Sequence, residues 1–449
     1  MVDNLHAGKN ETVDELVNTK QQLKLQTIRL KGLTHVMLNN KKKDMTPFDM
    51  ARKPVKQYPF LLPLIWGASY LMTRKFGLKI TKKNMKGIKP PFLVISTHQG
   101  FSDYYIAPLA LFPYRANYVS DMEGFAAFGE WLYRGIGCIG KPRYVPDYSV
   151  VKNIKLVLDG GQSVVVFPES RHSNVGTTSY IPKNLGKLAK MMRVPIVTLS
   201  AHGSYLANPF WDEEHTRKTK MEAVFECIYT KEQAMSAEEA EIQKKIEEKM
   251  SYDEYAWQSE QQICIDYPKR AEGLHKVLFL CRNCRTAFQM ASEGSQLSCT
   301  ACGTVWDMNP CGQLTYGEKR HDIHIPDWYE WERKEIEQEL LTKGVEKEYD
   351  VRVESLPNAK GFVALGQGTL KLDASGFELM IADRTMLFPH ACRESVQTEY
   401  QYRGRGACIV LSDKDCCYYV YSDDIGFNPT RMQFIGEYYY QKSKSLNEI

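Results

Sequence analysis

Phe92-Leu-Val-Ile-Ser-Thr-His-Gln-Gly-Phe-Ser-Asp103 is the stretch on which the fold turns. Residues 92 to 97 carry no charge and are mostly apolar, the signature of a strand buried on both faces. The chain then passes through Gln99 and Gly100, and Ser102 stands where a helix from Asp103 to about 112 would be capped. Outward from there the same reading recurs. Ala116-Asn-Tyr-Val-Ser120, Ser163-Val-Val-Val-Phe167 and Val194-Pro-Ile-Val-Thr-Leu-Ser200 read as buried strands. Residues 123–135, 149–159 and 183–192 read as helices between them. Strands alternating with helices of that length predict an α/β domain over residues 80–230, a mainly buried sheet flanked by helices.

The chain has 449 residues, 43% hydrophobic and 25% charged, with a net charge of +4. That length predicts two or three folded domains. The charge is too small for a nucleic-acid partner, which needs a strongly basic face. The N-terminus has no basic segment leading into an apolar one, so a cytoplasmic location is expected, with Cys138, Cys227, Cys264, Cys392 and Cys408 reduced. Residues 1–79 divide in two. A polar, lysine-rich arm with spaced apolar positions (Leu16, Leu23, Leu25, Ile28, Leu30) precedes Tyr58-Pro-Phe-Leu-Leu-Pro-Leu-Ile-Trp-Gly-Ala-Ser-Tyr-Leu-Met72. This uncharged segment is shorter than the roughly twenty residues a spanning helix needs. Flanked by Arg52, Lys53, Lys56, Arg74, Lys75 and Lys79, it reads as a helix lying in a membrane surface, with an ordinary buried helix as the alternative.

His98 falls at the carboxyl end of its strand, where open α/β sheets place ligands. Asp103, at the start of the next helix, can turn back toward the imidazole. A carboxylate on one ring nitrogen leaves the other free to take a proton from a substrate hydroxyl. A second apolar strand ends in the same way, Gly160-Gly-Gln-Ser-Val-Val-Val-Phe-Pro-Glu-Ser-Arg171.

Together these stretches resemble the glycerolipid acyltransferase family, the lysophosphatidic acid acyltransferases and their relatives. His98 and Asp103 match its H-x-x-x-x-D motif, and Phe167, Pro168 and Glu169 match the start of F-P-E-G. Gly137-Cys-Ile-Gly-Lys-Pro-Arg143 and Val194-Pro-Ile-Val197 follow the family order. The resemblance implies His98 as general base and Asp103 as its orienting partner. It implies Arg143, Phe167, Pro168, Glu169, Ser170 and Arg171 around the acceptor, with Arg143 on its phosphate. It further implies an acyl-CoA or acyl-carrier-protein donor, or an acyl phosphate, a lysophospholipid acceptor and a peripheral position on a membrane. Ser170 stands where the family has glycine, and His172 where it has arginine.

Cys281-Arg-Asn-Cys284 and Cys299-Thr-Ala-Cys302 are two knuckles fourteen residues apart, the spacing of a structural zinc ribbon over residues 278–316. A closed four-thiolate site has no position for substrate, and no redox cofactor is expected. Residues 231–277 read as a charged helical excursion or linker, and 317–347 as a second linker holding a helix from Pro326 to about Lys343. Residues 348–449 read as a β-rich domain with a terminal helix, similar in plan to a pleckstrin-homology domain. The rival function is a catalytically silent lipid-binding scaffold or regulator acting through the ribbon and the C-terminal domain.

Overall fold

Seven strands form the first sheet of the structure, a computed structural model describing residues 44–212, 215–317 and 321–447. They are β1 (Lys79–Lys83), β2 (Leu93–Ser96), β3 (Ala116–Ser120), β4 (Cys138–Gly140), β5 (Ser163–Val166), β6 (Ile196–His202) and β7 (Glu222–Tyr229), in the order β1-β7-β6-β2-β5-β3-β4. The run from β6 to β4 is parallel, whereas β7 pairs antiparallel with β6. Every residue of β2 and of β5 is buried, as a central strand with helices on both faces requires. Alternation along β2 divides the core. Leu93 and Ile95 join Ile154, Val157 and Met192 on one face, while Phe92 and Val94 join Ile106, Ala107 and Phe225 on the other.

The helices around this sheet begin with α1 (Leu62–Thr73), α2 (Asp103–Leu111), α3 (Met122–Phe128), α4 (Glu130–Gly135), α5 (Tyr148–Asp159) and α6 (Leu185–Met192). Helix α2 starts at Asp103 as expected, but the Ser102 side chain makes no capping bond. The Asp103 carboxylate turns back instead and accepts from the Gly100 N–H at 3.0 Å. The N-terminal arm, with its apolar positions from Leu16 to Leu30, lies outside the described residues.

Helix α1 inverts the usual amphipathic arrangement. Its buried residues are Ser69 and Thr73, while Leu64 is 68% and Tyr70 60% exposed, next to Phe60 at 63%. Among the described residues no helix is long and apolar enough to cross a membrane.

The segment expected as a linker from 231 is built into the sheet's core. After α7 (Ser204–Ala207) and α8 (Lys231–Ser236), helix α9 (Glu239–Met250) sends Ile242, Ile246 and Met250 into the cluster that holds Ala189 and Met192. Its apolar spacing of four is submerged in charge, which is why composition alone suggested a solvated excursion. Helix α10 (Glu254–Glu260) then returns to the carboxyl ends of the strands.

A five-stranded antiparallel meander follows: β8 (Met290–Glu293), β9 (Gln296–Cys299), β10 (Val305–Met308), β11 (Leu314–Tyr316) and β12 (His321–Ile323). Helix α11 (Ile325–Lys343) packs Trp328 against Trp306, with ring centroids 4.9 Å apart. The third sheet is antiparallel, in the order β16-β15-β14-β13-β19-β18-β17. Its strands are β13 (Glu346–Leu356), β14 (Val363–Asp373), β15 (Gly376–Ile381), β16 (Arg384–Pro389), β17 (Gln397–Glu399), β18 (Cys408–Ser412) and β19 (Cys417–Tyr421). Helix α12 (Pro429–Asn447) closes it, giving the strands-then-helix plan read from sequence. Ribbon, α11 and C-terminal sheet share one continuous core, so the stretch read as a second linker is a packed wall between them.

Candidate active site

The His98 ring is sandwiched at the end of β2, its centroid 4.6 Å from Phe167 and 4.4 Å from His172. Its Nδ1 lies 3.7 Å from Asp103 Oδ2, longer than a hydrogen bond, and its Nε2 faces the Tyr104 hydroxyl at 3.3 Å. Catalytic contacts of this kind commonly tighten only with substrate in place. Both partners are almost fully buried. Burial disfavours charge on each: it lowers the imidazolium pKa of His98 to about 3 and raises the carboxyl of Asp103 to about 6. The result is a neutral imidazole with a carboxyl group on its Nδ1 side, which suits a proton acceptor at Nε2.

Glu169 braces this arrangement from below. Its Oε1 accepts from the His98 backbone N–H at 2.8 Å, and its Oε2 accepts from Ser179 N–H at 2.8 Å and Tyr252 Oη at 2.9 Å. With both oxygens committed and the side chain buried, Glu169 holds the His98 backbone rather than facing an acceptor. Burial pushes its carboxyl up to about 7.

Ser170 has a φ of +59°, the left-handed region that favours glycine, which accounts for the glycine of the F-P-E-G pattern. Its hydroxyl accepts from Lys141 Nζ at 2.8 Å, a partial compensation for the strain. Ser170→Val is expected to be about 1–2 kcal/mol less stable than Ser170→Gly, read from denaturant midpoints of the two proteins. Equal midpoints would show that the turn relaxes.

Both arginines expected at the acceptor already have protein partners. Arg171 is buried against α12, where it bonds the Gln433 side chain and has Glu437 Oε1 at 3.6 Å. It docks the C-terminal domain, a correction that its position at a strand end could not announce. Arg143 does lie near the site, but its Nε bonds Asp121 Oδ2 at 3.2 Å and its Nη1 reaches Glu123 Oε1 at 3.1 Å. Glu123 in turn accepts from Tyr419 of β19 at 2.6 Å. A phosphate at Arg143 must therefore compete with two carboxylates. Phe167 and Pro168 are buried at the end of β5, where Phe167 is a wall for the His98 ring.

Tyr104, Asp121 and Glu123 escaped the sequence reading, which noted His172 only as a departure from the motif. Tyr104 follows Asp103 directly and could have been found from the helix phase. His172 replaces a motif arginine with a ring that burial holds neutral, its pKa lowered to about 3. The two acids gave no local signal.

The four ribbon cysteines converge as the spacing required. All their sulfurs lie within 4.8 Å of one another, with Cys281–Cys302 and Cys284–Cys299 both at 3.8 Å. A tetrahedral ion with sulfur ligands at ~2.3 Å has edges of about 3.8 Å, so the set fits a four-thiolate metal centre.

Residues 77–202 match the Acyltransferase family model. Among solved structures, the 1-acyl-sn-glycerophosphate (LPA) acyltransferase PlsC from Thermotoga maritima is similar at 17% identity and a TM-score of 0.37, over 53% of this chain and 93% of that chain. No curated protein matches the chain. The matched stretch runs from the turn before β1 to the end of β6 and holds both strand-end motifs. Residues 77–202 of this chain thus carry the pattern of the Acyltransferase family model.

Proposed function

We propose that the chain moves a fatty acyl group from an acyl thioester, or an acyl phosphate, to a hydroxyl of lysophosphatidic acid or a related glycerophosphate acceptor. The observation that carries this reading is the buried, neutral His98 with Asp103 on one ring nitrogen and a hydroxyl, that of Tyr104, already on the other. The acceptor hydroxyl takes the place of the Tyr104 hydroxyl. Its oxygen attacks the acyl carbonyl carbon as Nε2 removes its proton. The tetrahedral intermediate then collapses, expelling thiolate or phosphate, which takes the proton from His98. Arg143 binds the acceptor phosphate by exchanging it for Asp121 and Glu123. Incubating the protein with isotopically labelled donors and a panel of lysophospholipids tests the reading. An esterified product supports it, and no product with any pair removes it in favour of a silent lipid-binding scaffold.

An exposed apolar face supports a peripheral position on a membrane, which we assign to the cytoplasmic side. Phe60 and Trp131 are 63% and 66% exposed and flank Tyr58, with ring centroids 5.6 and 6.2 Å from it. Arg52, Lys53 and Lys56 lie just before them in the chain. Burying one such side chain is worth ~1.5–3 kcal/mol, so Phe60→Ser and Trp131→Ser should each weaken binding to anionic vesicles by about tenfold or more. Unchanged partitioning in a flotation assay would place the contact elsewhere. The four cysteines are proposed to hold one structural zinc ion.

A further inference from the structure

Glu254 lies outside the acyltransferase stretch, at the start of α10, and is fully buried. Its Oε1 accepts from Gln99 Nε2 at 3.1 Å and meets His202 Nδ1 at 2.8 Å, while its Oε2 accepts from Gly203 N–H at 2.6 Å. The Glu254 backbone N–H is itself fixed on Gly176 O at 2.8 Å. Burying a carboxylate is costly unless its oxygens are satisfied, and here both are satisfied by the two loops that meet at the active site.

The first loop is the one that carries His98. Gln99 follows it directly, and the Gln99 amide also donates to Ala201 O at 2.5 Å, near the end of β6 and just before the second loop. The second loop turns at Gly203, with φ of +88°, where a Cβ would come within 2.0 Å of Lys220 O. Ser204 then packs so closely on Gly100 that a Cβ at position 100 would meet its carbonyl oxygen and its Oγ at 3.2 Å. Gly100 N–H is in turn the donor to Asp103. One carboxylate therefore sits at the junction of the segments that set where His98 and Asp103 stand.

We propose that Glu254 is a positioning residue for acyl transfer, stapling the loop after β2 to the loop after β6 so that His98 and Asp103 are held in register. This rests on the acyl-transfer reading of the site. Glutamine at 254 is isosteric, but its amide has one acceptor. Whichever way it turns, a donor group faces either Gln99 or Gly203, and one loop is released. Displacements of about 1 Å at a catalytic group can cost about 10²-fold in rate.

The test uses full-length wild type, Glu254→Gln and Gln99→Met, with His98→Ala as the reference for loss of the base. Glu254→Gln is expected to lower kcat 10- to 100-fold with KM for the acyl donor changed less than threefold. Gln99→Met, which cuts the same staple from the other side, should reproduce the loss, and the double variant should be no slower than the worse single one. The His98 ring titration, followed by NMR and assigned with His98→Ala, should move in both single variants. Wild-type kcat and an unmoved titration in folded Glu254→Gln would overturn the proposal. If Glu254→Gln does not fold, the same result in Gln99→Met overturns it. Should wild type itself transfer no acyl group, the acyl-transfer reading fails, and the His98 titration alone still decides whether Glu254 governs that ring.

Discussion

Replacing His98 with alanine is expected to reduce acyl transfer about 10²–10⁴-fold, the range a lost general base commands. The protein should remain folded, because the contact that fixes this point of the chain is the His98 backbone N–H on Glu169, which alanine retains. The pH dependence makes the prediction sharper. Burial holds His98 neutral down to about pH 3, so its own protonation does not limit the rate near neutrality. Asp103, raised to about 6 by burial, is the member of the pair that changes charge in the working range. The wild-type rate should therefore rise with pH through about 6 and level off above it, and Asp103→Asn should lose that limb as well as most of the rate. A limb near the ordinary histidine value that survives in Asp103→Asn would show that the imidazole itself titrates there.

Stability follows the same groups with opposite sign. A carboxyl whose folded pKa lies above its unfolded value favours the native state below the unfolded pKa. That contribution is lost as pH rises through the folded one. For Asp103 and Glu169 the window runs from about 4 to about 6 and about 7, respectively. His98 and His172, depressed to about 3, lose native stability as pH falls from about 6.5 toward 3. Denaturant midpoints of Asp103→Asn relative to wild type should thus rise from about pH 4 to about pH 6 and level off above it.

The second large effect is expected at the ribbon. Four-thiolate zinc centres contribute apparent binding free energies of ~10–16 kcal/mol, so the ribbon should be folded only when loaded. Besides the four thiols, the Asn283 amide joins the two knuckles by donating to Thr304 Oγ1 at 2.9 Å, and what they hold reaches further. Leu280 N–H donates to Glu332 at 2.7 Å and Leu280 O accepts from Trp328 Nε1 at 3.0 Å, just before the first cysteine. Cys281→Ser or exhaustive chelation should therefore release the packing of Trp306 on Trp328. The signs would be a red-shifted tryptophan emission and loss of amide protection across residues 290–323. Cys311→Ser, which removes a cysteine outside the four-sulfur cluster, is the control and should leave both signals in place. Metal analysis should find one zinc per wild-type chain. Full protection in the metal-free protein would show that the ribbon is held by its apolar contacts alone.

The parallel core of the first sheet was legible because β2, β3, β5 and β6 are apolar runs separated by helices of ordinary length. Its edge was not. β1 reads Lys-Ile-Thr-Lys-Lys, four of its five residues are exposed, and its place depends on pairing with β7, which lies some 140 residues away. The same distinction holds at the site. His98, Asp103 and the four cysteines declare themselves by short spacings that one turn or one helix start can satisfy. Arg171 and Glu254 do not, since their partners, Gln433 and Gln99, are 262 and 155 residues distant. Arg143 was read as a phosphate ligand from its match to the family motif, and the carboxylates that hold it, at 121 and 123, gave no warning because they sit in a helix start where acids are ordinary. Composition hid α9 for a related reason: three buried apolar residues in twelve are enough to anchor a helix whose remaining face is charged.

The central claim is that the His98–Asp103 site transfers an acyl group to a hydroxyl. It is tested most directly by mass spectrometry of the lipid products formed from a labelled acyl donor and a lysophospholipid acceptor. Wild type is predicted to yield the acceptor plus one acyl group in ester linkage, and His98→Ala to yield at most about one hundredth of it. Equal product from the two proteins, or none from wild type with any donor, would contradict the account.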